Sequence, residues 1–179
     1  MAIQKKDLRE GDPILVSKHI GWRFRDLFAW RIQATTHSKW NHAGLIVRKN
    51  GIWMIAEACF NGGVVLSPLD KYMTDQYDFS LMRPILANEY QGRIAARFAM
   101  SKVGCGYEYA KIIRIRLLQL ILGHETADTI DARDNDNVFI CSELVIRSWR
   151  AAGIKLGGAF SGPSEVAKHV DPYFSWTGA

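Results

Sequence analysis

Asn50-Gly51 stands between two strand-like runs, 43–48 and 52–59. Asn-Gly is among the strongest short hairpin signals, because a two-residue type I′ turn needs positive φ at both central positions. If these two residues make the turn, Lys49 pairs with Ile52, Gly44 faces Glu57, and His42 faces Cys59. Side chains alternate along a strand. His42, Gly44, Ile46, Trp53, Ile55, Glu57 and Cys59 then share one face. Ala43, Leu45, Val47, Ile52, Met54 and Ala56 line the other, which is apolar throughout. A slip of one residue would invert the whole assignment.

His42 and Glu57 are diagonal neighbours on the first face, about 7–8 Å apart at the backbone and closer at their tips. Gly44 leaves space between them. A carboxylate so placed can hold an imidazole's orientation and tautomer, as the orienting acid of a catalytic triad does. The plainer alternative is a hairpin with a surface His and Glu, and the register alone does not separate the two.

Cys141 ends a short apolar run, Val138-Phe139-Ile140, and opens a predicted helix over 142–152 that Gly153 stops. Cys141, Leu144, Val145, Ser148, Trp149 and Ala152 fall on one face of that helix. The thiol then points coreward at a helix N-terminus, where free N–H groups and the dipole favour a thiolate. A nearby imidazolium would favour it further, and Cys with His and a polar orienter is the arrangement for attack on an acyl carbon. The alternative is a structural cysteine, the reading given to Cys59 and Cys105.

The other segments mix both element types. Strands are predicted at 14–16, 64–66 and 78–83, and helices at 23–32, 88–103 and 108–122, with a polar loop over 124–137. Helices and an antiparallel sheet without strict alternation predict an α+β class. The chain has 179 residues, 48% of them apolar. That suits one globular domain over 1–179. No CxxC pair occurs among the three cysteines, so a disulfide framework is not expected.

Thr36-His37-Ser38-Lys39-Trp40-Asn41-His42-Ala43-Gly44-Leu45-Ile46-Val47 and Phe139-Ile140-Cys141-Ser142-Glu143-Leu144-Val145 resemble the YiiX-like branch of the NlpC-type papain-like cysteine hydrolases. In that branch the order is circularly permuted, the histidine strand preceding the cysteine helix, as in the lecithin retinol acyltransferase-like proteins. Leu8-Arg9-Glu10-Gly11-Asp12, Gly104-Cys105-Gly106-Tyr107-Glu108 and Ser161-Gly162-Pro163-Ser164-Glu165 are similar to smaller family segments, in the expected order. Glu108 stands where Asp is more usual.

The resemblance implies a papain-like fold with a central antiparallel sheet or small barrel and packed helices. It implies Cys141 as nucleophile, His42 as base and proton donor, and Glu57 as orienter. Tyr107 would lie beside the site and donate to substrate or oxyanion. The implied reaction is cleavage of an amide in a cell-wall peptide or an N-acyl lipid or amino acid, through a thioester and without metal or organic cofactor. Lipid acyl transfer or thioester hydrolysis by the same thiol, and a catalytically silent binding module, are the alternatives.

Weaker signals concern partners. Residues 111–122 are apolar nearly all round and fit a core helix or a lipid-facing lid. Residues 22–31 interleave aromatics with arginines. His42, Glu57 and Cys141 are ligand types that zinc accepts, but no HExxH or zinc-finger spacing occurs, and no metal is expected. The net charge of +5 lies wholly in the first fifty residues. It predicts a local positive surface for anionic membrane or cell-wall polymer, and no specific nucleic-acid partner. The sequence leaves oligomeric state open. No run of about 18 apolar residues predicts a membrane span, and residues 1–7 lack a signal-peptide pattern. A cytoplasmic location is expected, with action at the envelope after release or lysis left open.

Overall fold

A computed structural model describes residues 5–19, 39–107, 137–158 and 162–178. The predicted helices at 23–32 and 108–122 lie outside these residues, as do His37 and His124.

The described chain runs β1 (Pro13–Lys18), β2 (His42–Lys49), β3 (Ile52–Cys59), β4 (Gly63–Pro68), a 3-10 turn (Leu69–Tyr72) and β5 (Tyr77–Pro84). Then come α1 (Glu89–Ser101), β6 (Gly106–Tyr107), β7 (Val138–Phe139), α2 (Cys141–Ala151), α3 (Pro163–Ala167) and β8 (Val170–Trp176). Six strands form one antiparallel sheet in the order β4-β3-β2-β1-β5-β8, and β6 pairs with β7 in parallel. This is the α+β arrangement expected.

The hairpin has the register the turn demands. Lys49 pairs with Ile52 and Gly44 with Glu57. Asn50 and Gly51 have φ of 51° and 81°, both in the left-handed region of a type I′ turn.

Alternation along the strands feeds two cores, one on each face. Leu15, Ala43, Leu45, Val47 and Ala56 pack with Ala95 and Ala99 of α1 and Leu144, Val145 and Trp149 of α2. Ile14, Val16, Ile46, Ile55, Phe79, Leu81 and Phe174 form the second core. The face that carries His42 and Glu57 is therefore covered too, and the surface-hairpin alternative falls. Ile52 is the exception on the apolar face: it sits at the turn and is exposed.

Helix α1 starts at a capping box. Asn88 accepts from the Gln91 N–H, and the Gln91 side chain accepts from the Asn88 N–H, each at 3.0 Å. Its Gly92 lies against the chain before β1, where a Cβ would stand 2.3 Å from the Glu10 carbonyl oxygen. Trp149 Nε1 closes the same corner by donating to the Gly11 carbonyl at 3.0 Å. The helix–sheet docking that carries Cys141 to β2 is thus locked at its far end.

Strand β8 was not expected. Its alternation is interrupted by Pro172, which a sheet tolerates at an edge, and a register shift in β5–β8 falls at Leu81/Met82.

Candidate active site

Glu57 sits mid-sheet on β3 with no exposure at all. A buried carboxylate is costly unless its oxygens are paired, and both are. Oε2 meets His42 Nε2 at 2.6 Å and accepts from the Tyr72 hydroxyl at 2.5 Å. Oε1 accepts from Lys71 Nζ at 2.5 Å. Burial pushes the Glu57 carboxyl up, but the hydrogen bond and charge of His42, then Lys71 and Ser67, hold it well below the ordinary range. It is a carboxylate at any working pH.

Gly44 makes the diagonal approach feasible. A Cβ there would stand 2.7 Å from Ile55 Cγ2 and 3.3 Å from Glu57 Cβ. His42 opens β2, with a fifth of its side chain exposed. With Nε2 committed to Glu57, the other ring nitrogen is left for Cys141, and imidazole and thiol are hydrogen-bonded.

Cys141 is the first residue of α2 and is buried. Burial raises its pKa, but the His42 hydrogen bond and charge, and backbone hydrogen bonds from Ala43 and Ser142, more than reverse that. Burial lowers the His42 pKa, yet the hydrogen bonds to Cys141 and Glu57 and their charges carry it to about 10. The two shifts describe one coupled pair, thiolate and imidazolium, with Glu57 behind it. Such a pair can attack a carbonyl carbon without a further base.

Of the residues singled out in the sequence, Cys141, His42 and Glu57 come together. Tyr107 pairs with Phe139, two residues before Cys141, and its ring lies 6.0 Å from that of Phe60. His19 and His169 are elsewhere, beside Asp78 at 2.9 Å and Glu165 at 3.5 Å. All three cysteines are free, and neither Cys59 nor Cys105 is fully buried. Cys59 is drawn into the site. Burial and the Glu57 charge push its thiol up to about 11, against a smaller opposing pull from Lys71.

Sequence reasoning missed Lys71, Tyr72 and Ser67. Ser67 lies just past the predicted strand at 64–66 with no signal of its own, and the 3-10 turn Leu69–Tyr72 carries no periodic signal. One clue existed: a carboxylate facing a sheet interior requires donors, and the next polar cluster along the chain is this turn.

No curated protein matches the chain. Among solved structures, a protein from Escherichia coli O157:H7 titled metalloprotein yiiX resembles it at 22% identity and a TM-score of 0.58. The match covers 89% of this chain and 79% of that one. At that identity the likeness speaks for the fold.

That title raises the question whether residues here fit a metal. Among the described residues, one cluster has suitable atoms: His42, Glu57 and Cys59, all within 4.8 Å of one another. Zinc would need them about 2.0–2.3 Å from a common centre. Lys71 Nζ already lies among them, 2.5 Å from Glu57 Oε1 and 3.7 Å from Cys59 Sγ. His42 Nε2 is spent on Glu57. As arranged, the residues do not fit a metal.

The family described as permuted papain-like amidase enzyme, YaeF/YiiX, C92 family, matches residues 8–113, a stretch that holds His42, Glu57 and Tyr107 and ends before Cys141. The permuted order, histidine strand before cysteine helix, is the order found here. The chain belongs to this family of permuted papain-like amidases, and is a cysteine hydrolase of the peptidase and amidase type.

Proposed function

We propose that the protein hydrolyses an amide bond of a cell-wall peptide or an N-acyl lipid or amino acid, with Cys141, His42 and Glu57 as its triad. The observation that carries this reading is the unbroken line of contacts from the Cys141 thiol through the His42 ring to Glu57.

The Cys141 thiolate attacks the carbonyl carbon, and the carbonyl oxygen takes the negative charge. N–H groups of the first turn of α2 have no intrahelical acceptor, so that of Cys141 can donate to this oxyanion. The His42 imidazolium gives its proton to the leaving nitrogen as the C–N bond breaks, leaving a thioester. Neutral His42 then takes a proton from water, whose oxygen attacks the thioester. The carboxylic acid leaves and the thiolate returns. Glu57 stays ionised throughout and holds the ring. Tyr107, beside the strand that leads into Cys141, is the proposed substrate-side donor. The basic first fifty residues suit an anionic membrane or cell-wall polymer as the surface that presents substrate.

The test is intact-mass analysis after incubation with peptidoglycan fragments and, separately, with N-acyl amino acids and N-acyl lipids. Released amine together with a transient acyl adduct on Cys141 is the expected result. Full turnover by Cys141→Ala would overturn the mechanism.

A further inference from the structure

We propose that Lys71 is the resident cation of this site: its ammonium fills a cradle made by Glu57, Ser67 and Cys59 and keeps a divalent metal out of it. An ammonium has three N–H donors. Lys71 has three acceptors: Glu57 Oε1 at 2.5 Å, Ser67 Oγ at 3.2 Å and Cys59 Sγ at 3.7 Å. The Tyr72 ring lies 5.1 Å from the same nitrogen. Glu57 and Cys59 come from β3 and Ser67 from the paired β4, where Ile55 faces Ser67. The turn after β4 folds back and delivers Lys71 onto these acceptors.

Charge explains why a cation belongs there. Glu57 is buried with its negative charge, and the imidazole covers only one of its oxygens. The Cys59 sulfur and an imidazole nitrogen lie within 4.8 Å of the carboxylate and of each other. Without an ammonium this is a nitrogen, oxygen and sulfur donor set of the kind that zinc and cobalt take up. With the ammonium present, a dication meets both a filled space and a like charge. Lys71 thus supports Glu57 with a cation that the chain itself carries, where the fold neighbour is titled a metalloprotein.

Cobalt(II) titration of chelator-treated protein tests this, all in a Cys141→Ala background so that the nucleophile contributes no thiolate. The Cys141→Ala parent should show no near-ultraviolet thiolate-to-cobalt band. Adding Lys71→Ala should produce that band with one equivalent bound, and further adding Cys59→Ser should abolish it. A parent that shows the band and loses it with Cys59→Ser would overturn the proposal. So would a folded Lys71→Ala protein that shows none. If Lys71→Ala does not fold, Lys71→Ser gives the same readout, and the parent alone still decides whether metal is excluded. Turnover plays no part, so failure here is distinguishable from failure of the hydrolase reading.

Discussion

Tyr72 donates its hydroxyl to the same oxygen of Glu57 that His42 meets, at 2.5 Å. The phenol sits in the second core of the sheet, and burial with the Glu57 charge pushes its own pKa far up, so it stays a donor. Tyr72→Phe leaves the ring packing and removes only this bond. A hydrogen bond to a charged group contributes about 1.5–3 kcal/mol. Urea denaturation should show a loss of that order, with substrate KM little changed.

The pair of shifted groups predicts a contrast between two thiols. Cys141 is lowered and His42 raised to about 10, so the ion pair forms below the ordinary thiol range and persists until His42 loses its proton. Cys59, pushed up to about 11, should stay inert across neutral pH. Labelling with iodoacetamide, read by peptide mass, should be fast at Cys141 even at mildly acidic pH and slow at Cys59. Equal rates at the two sites would contradict the geometry. His42→Ala should leave burial to raise the Cys141 thiol and slow its labelling near neutral pH.

The same shift bears on stability. A group whose folded pKa is raised stabilises below its unfolded value and loses that contribution as pH rises through the folded one. For His42 the loss falls between the ordinary 6.5 and about 10. Cys141, lowered in the same pair, contributes in the opposite sense up to the ordinary thiol range. The two offset there, and thermal melts should show this loss only as pH climbs from that range towards about 10.

Turnover should separate the three proposed triad members by role. Cys141→Ala should abolish it with the fold intact, and His42→Ala should come close. Glu57→Gln should lose less than the ~10²–10⁴-fold that general acid–base groups contribute, since it alters orientation and not a reacting atom. Steady-state kinetics on a confirmed amide substrate, with circular dichroism as the folding control, gives the ranking.

Gly44 is the small residue that lets His42 reach Glu57. An added methyl would stand 2.7 Å from Ile55 Cγ2, in a core without slack. Gly44→Ala should destabilise by about 1–3 kcal/mol, the range for overpacking. It should also slow Cys141 labelling, because β2 and β3 must part where the pair is held. Unchanged labelling would show that the pair tolerates the shift.

Much of the site was legible because hairpin geometry is local. The Asn50-Gly51 turn sets the register, and the register sets which side chains share a face. His42 diagonal to Glu57, on the same face, follows from counting. Cys141 at a helix start follows from an apolar run that changes period. The sheet order does not follow, since β1 pairs with both β2 and β5 while β8 returns to the far edge.

The sequence by itself determined the hairpin and the α+β class, and it singled out the three residues of the proposed triad in the histidine-before-cysteine order. Only the tertiary structure decided that Glu57 is fully buried and that Lys71 and Tyr72 complete its shell. The reason is one of range. Strand alternation and turn chemistry act between residues a few positions apart, so they can be read along the chain. Desolvation of a carboxylate depends on a second core packed over that face of the sheet, and its donors come from a turn whose placement no local pattern encodes.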